Sequence, residues 1–88
     1  MIMEWMRGLK IGDYVRWKYP LGYVRPADDK THSHALITDM REDAERWDGR
    51  VILLLDTKYR QSFWLSLDLL VELGELEVLR DGNWVRVI

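Results

Sequence analysis

The sequence predicts an all-β domain, and three observations carry that prediction. Residues 51–55, Val-Ile-Leu-Leu-Leu, form an apolar run bounded by Asp48-Gly49 and Asp56-Thr57-Lys58, the length of a buried strand and short for a helix. Residues 14–19 and 61–66 alternate with the period of two that gives a strand one apolar face. Asp81-Gly82 near the end of the chain stands between two apolar stretches, the strongest short hairpin signal.

Each element follows from these cues. The apolar run 51–55 and the alternating stretch 61–66 are expected to pair through a tight polar loop as the centre of the core, with Phe63 and Leu65 on one side and Ser62, Trp64 and Ser66 on the other. Upstream, Gly12-Asp13 marks a turn, after which Val15, Trp17 and Tyr19 share a core face while Tyr14, Arg16 and Lys18 share the wet one. Residues 1–8 read as a short helical or irregular lead-in. Pro20, Gly22 and Pro26 stop regular pairing, and residues 27–33 are polar enough for an exposed loop. A second strand is expected over 34–40, and the charged stretch 41–50 reads as a solvated connection.

After the central hairpin, residues 67–70 suit one tight helical turn and residues 71–73 a short strand. In the terminal hairpin, a two-residue Asp81-Gly82 loop sets Leu79 opposite Trp84, Val78 opposite Val85, Glu77 opposite Arg86 and Leu76 opposite Val87. One face is then wholly apolar (Leu76, Val78, Val85, Val87). The other carries Leu79 and Trp84 beside an expected Glu77–Arg86 ion pair. An isolated hairpin is marginal in water, so this one must lie on the rest of the domain or on another chain.

The order of strand, long loop, strand, acidic connection, strand, tight turn, strand, helical turn and strand resembles the Src-homology-3-like small barrel, particularly its Tudor-type and KOW-type versions. The residues that carry the resemblance are Gly12-Asp13-Tyr14-Val15-Arg16-Trp17 as an opening strand and Phe63-Trp64-Leu65-Ser66-Leu67-Asp68-Leu69-Leu70-Val71-Glu72-Leu73 as closing strand, helical turn and last strand. It implies a barrel of about five strands over residues 9–73, preceded by the lead-in 1–8 and extended by the hairpin 74–88, packed on the barrel or on a partner.

Composition narrows the function. Eighty-eight residues make one small domain, and five Trp, four Tyr and one Phe supply much of the apolar mass available to its core. The absence of cysteine excludes disulfides and thiolate metal sites and fits a reducing compartment. A cytoplasmic protein is expected, with no membrane partner, because the apolar start of the chain is interrupted by Glu4 and Arg7. Thirteen basic and fifteen acidic residues give a net charge of −2, so no globally basic surface exists for a polyanion.

Catalytic chemistry is not expected. No Gly-x-Ser-x-Gly elbow or glycine-rich phosphate loop occurs, and the paired carboxylates Asp28/Asp29 and Glu42/Asp43 fall in stretches read as exposed, where they stay ionised. No cofactor or small-molecule substrate is implied. His32 and His34, two apart on a strand, point the same way and lie near Asp28 and Asp29. Two imidazoles and a carboxylate could hold zinc or nickel, but a metal site needs three or four fixed ligands, so a solvated pair is expected and a metal-dependent role is the third reading.

Two binding surfaces are expected instead. The first is a protein interface at Trp64, Leu79 and Trp84, which fall on the nominally exposed faces of their strands and belong to the kind of exposed apolar or aromatic surface that anchors interfaces. It would serve a non-catalytic interaction or assembly module, self-associating or part of a larger complex. The alternative is a nucleic-acid or peptide surface at Tyr14, Arg16, Lys18, Tyr23 and Arg25, joined by Lys58 and Arg60 at the tip of the central hairpin. Between Arg7 and Pro26 five basic residues stand against one acidic, and rings interleaved with cations suit stacked bases and phosphates. Against it, five acidic residues face two basic ones both from Asp39 to Asp48 and from Asp68 to Arg86, a dipolar layout that suits docking to a protein.

Overall fold

In the computed structural model, which describes residues 4–18, 32–42, 49–57 and 60–88, the strands β1 (Tyr14–Lys18), β2 (His32–Glu42), β3 (Arg50–Asp56), β4 (Gln61–Ser66), β5 (Glu77–Arg80) and β6 (Asn83–Arg86) form one open antiparallel sheet in the order β4-β3-β2-β1-β5-β6. A 3-10 turn over Glu4–Met6 precedes β1, and the helix α1 (Leu67–Glu72) separates β4 from β5. The all-β expectation holds. Among the described residues no helix is long and apolar enough to cross a membrane.

Alternation along the strands decides which face is covered. Val15 and Trp17 of β1, Ala35 and Ile37 of β2, Ile52 and Leu54 of β3 and Val78 of β5 are buried in one cluster with Leu9, Leu67, Leu70, Leu76 and Val87. Trp5, Met6, Phe63 and Leu65 pack against its rim. In β2 the pairing slips between Ile37 and Asp39, a bulge whose extra residue, Thr38, donates its hydroxyl to the Leu53 carbonyl at 3.3 Å. The slip changes the parity of the strand, so that Met40 returns to the core in place of Asp39.

Several expectations are corrected. The helical turn after β4 is a six-residue α-helix that takes in Val71 and Glu72, so no strand lies there. Ser66 caps it by accepting from the Leu69 amide at 3.3 Å, and Leu67 and Leu70, three apart, put one side of the helix into the core. The strand that follows α1 and pairs with β1 is β5, with Val15 opposite Val78 and Arg16 opposite Glu77, so the terminal hairpin is part of the sheet itself. The hairpin register is the expected one, and Asp81 and Gly82 both have positive φ (50° and 81°), as a tight hairpin loop requires. Its ion pair is not: Glu77 pairs with Arg16 across β1, while Arg86 reaches Glu75 at 3.3 Å. Val85 is also 46% exposed, although its strand neighbour Val87 is buried.

An ion pair with a buried carboxylate closes one end of this arrangement. Asp13, 4% exposed, receives both terminal nitrogens of Arg80, Nη1 on Oδ1 at 2.8 Å and Nη2 on Oδ2 at 2.9 Å, and the Lys10 amide on Oδ2 at 2.9 Å. The fork ties the start of β1 to the end of β5. Arg7 makes a second long-range clamp by donating to Asp68 in the first turn of α1 at 2.9 Å.

Candidate functional site: an aromatic and histidine patch on the second sheet face

The face opposite the core carries the side chains of alternate residues of the same strands. In β1 these are Tyr14, Arg16 and Lys18, and the pairing sets them opposite Leu36, His34 and His32 of β2. On the other side of β1, Arg16 faces Glu77, which faces Arg86, while Leu79 faces Trp84. Opposed residues of an antiparallel pair share a face, so the register gathers two rings, two imidazoles and three cations on one surface.

The side chains interlock. Tyr14 stacks on His34 with ring centres 6.1 Å apart and planes 21° from parallel, and Trp84 contacts both, at 6.0 Å from Tyr14 and 5.7 Å from His34. His32 lies 6.4 Å from His34. The Arg16 guanidinium sits 4.5 Å from the centre of the Trp84 ring, a cation–π contact, while its Nε donates to Glu77 Oε1 at 2.8 Å. All these side chains are half-buried, and α1 packs on the opposite, core face of the sheet.

The cations of this face are largely neutralised from within. Arg16 is held by Glu77, and Glu77 Oε1 is also 3.9 Å from His32 Nε2. Lys18 Nζ is 2.9 Å from Glu75 Oε2, and Arg86 binds the other oxygen of the same carboxylate. The hydrogen bond and charge of Lys18, with a smaller share from Arg86, hold the Glu75 carboxyl below its ordinary pKa. A phosphate approaching this surface would meet ion pairs already formed.

The two surfaces expected from sequence are thus redistributed. Tyr14, Arg16 and Lys18 lie on the same patch as Trp84, whereas Tyr23, Arg25 and Lys58 lie outside the described residues. Arg60 is exposed in the β3–β4 turn, with φ of 56° and its amide donating to the Asp56 carbonyl. Trp84 faces Leu79 across the β5–β6 hairpin, but Trp64 is on β4 at the other end of the strand order, so strand pairing does not join it to that pair. Trp64 has its own neighbour, the Arg41 guanidinium at 5.4 Å from the ring centre, with Arg41 Nε also on Asp39 at 2.8 Å. His32 and His34 do point the same way, but among the described residues no three histidines or carboxylates gather as a metal site. Sequence reasoning missed the part His34 and Glu77 play in the patch. Alternation placed each on its face, but only the pairing of β2 and β5 with β1 brings them together.

No protein-family model matches the chain, and neither the curated proteins nor the solved structures contain a significant match to it.

Proposed function

We propose that this chain is a non-catalytic protein-interaction module that engages its partner through the patch of Tyr14, His34 and Trp84. The observation that supports this reading is the set of three mutually packed rings on the sheet face opposite the one that α1 packs on. Rings already held by one another lose little side-chain freedom on binding, which favours their use as interface anchors. Strand order β4-β3-β2-β1-β5, with a short helix between β4 and β5, supports the Src-homology-3-like reading of the fold, with β6 as an addition at the β5 edge.

Nucleic acid is the weaker reading because the carboxylates of Glu75 and Glu77 occupy Arg16, Lys18 and Arg86. Light scattering on the purified chain with a single-stranded oligonucleotide tests this. No gain in mass is expected even at about 50 mM salt, and a gain that disappears at about 200 mM would assign the patch to nucleic acid instead.

A further inference from the structure

Among the described residues, hydrogen bonding across the terminal hairpin leaves one side of the β6 backbone without a strand partner. The Val87 amide donates to the Leu76 carbonyl at 2.9 Å, and in an antiparallel ladder such residues alternate, so Asn83, Val85 and Val87 direct their main-chain groups at β5. The amides and carbonyls of Trp84 and Arg86 therefore point away from the sheet. Among the described residues β6 ends the strand order, and no strand pairs with that side. Val85 of β6 and Ile88 just beyond it are exposed apolar residues, as is Leu79 on the paired strand β5.

We propose that β6 is the contact strand of a two-fold dimer, in which a second copy of this chain adds its own β6 antiparallel, centred on Val85. Facing residues of paired strands share a face, which limits the symmetric registers to those centred on a residue. Centring on Val85 pairs Trp84 with the partner's Arg86 and Arg86 with the partner's Trp84, so that every outward amide of these two residues meets an outward carbonyl. Val85 meets its own counterpart at the closer, non-hydrogen-bonded spacing of about 4.5 Å between Cα atoms. Each Trp84, already in contact with Arg16 of its own chain, gains a second guanidinium alongside it.

The neighbouring registers are poorer. Centring on Arg86 sets like charges directly opposite, and centring on Trp84 carries Arg86 past the end of the partner strand to its Gly82 turn. The pairing adds a second sheet to the first and brings the two aromatic patches to either side of the two-fold axis. It stands whatever the patch binds. With four-residue strands the contact is small, so the dimer is weak and concentration-dependent.

The natural absence of cysteine provides a clean test. Val85→Cys places the only thiol of each chain at the axis, at an exposed position that does not build the core. Mild oxidation of the full chain is expected to give predominantly disulfide-linked dimer, whereas Ser62→Cys, exposed on the opposite edge strand β4, remains predominantly monomeric. A Val85→Cys chain that stays monomeric, or one that cross-links no better than Ser62→Cys, overturns the proposal. A second variant, Val85→Lys, sets like charges against each other at the axis. The unsubstituted chain is expected to gain mass with concentration in light scattering and Val85→Lys to lose that gain, and no gain in the unsubstituted chain, or a gain that persists in the variant, overturns the proposal too.

Discussion

Trp17→Ala is expected to lower the stability of the domain by about 3–5 kcal/mol, the range for removing a large aromatic from a core. Trp17 is completely buried at the centre of β1 and meets Phe63 edge-to-face, with ring centres 6.2 Å apart and planes at 69°. Β1 joins β2 to β5, so a void beneath it weakens both pairings at once. A domain of this size has roughly 4–13 kcal/mol in total, and the loss takes a large share of that. Urea unfolding followed by circular dichroism measures it, with Trp17→Phe expected to recover most of the loss. A change below about 1 kcal/mol in the alanine variant would mean that the core does not centre on this ring.

Asp13→Ala is expected to cost about 1–3 kcal/mol, because it removes a buried carboxylate that accepts from Arg80 twice and from the Lys10 amide, while the part-exposed guanidinium keeps only the Gly8 and Leu79 carbonyls. Burial alone would raise the pKa of Asp13, but the Arg80 hydrogen bonds, the Lys10 amide and the two nearby positive charges together hold it below its ordinary value. A carboxyl whose pKa is depressed in the folded state contributes its stability above the unfolded value, about 4, and loses it as pH falls through the folded one. The stability difference between the unsubstituted chain and Asp13→Asn is therefore expected to be constant near neutrality and to shrink in acid. A difference that grew as pH fell through that window would show that the carboxylate is not the stabilising form.

What the sequence disclosed was periodic or local. The apolar run of β3, the alternation of β1 and β4 and the Asp81-Gly82 turn each depend on neighbours along the chain, and the structure has each of them where the pattern put it. The helix α1 ran longer than expected because Ser66 caps it and the leucines at 67 and 70 anchor it in the core; residues 71–73, apolar-polar-apolar, fit a strand equally well when read without that cap. Long-range partners left no local trace. Asp13 looked like a turn residue, and nothing near it in the chain announces a guanidinium 67 positions away. Glu77 faced Arg86 in the hairpin register, yet its charge went to Arg16, because β1 on its other side offered the closer cation. The candidate site was legible strand by strand, with Tyr14, Arg16 and Trp84 each on its correct face. Their union with His34 required the strand order β2-β1-β5-β6, which no single stretch of sequence encodes.

Site-specific photo-crosslinking tests the binding role of the patch most directly. Benzoylphenylalanine in place of Tyr14 puts the reactive group among Trp84 and His34, and the same residue in place of Leu69, exposed on α1, serves as the control. The expected result is a discrete protein adduct from position 14 that survives nuclease treatment, is absent from position 69 and differs in mass from twice the chain. Adducts lost to nuclease, or the same adducts from both positions, would contradict a protein-binding patch on this face.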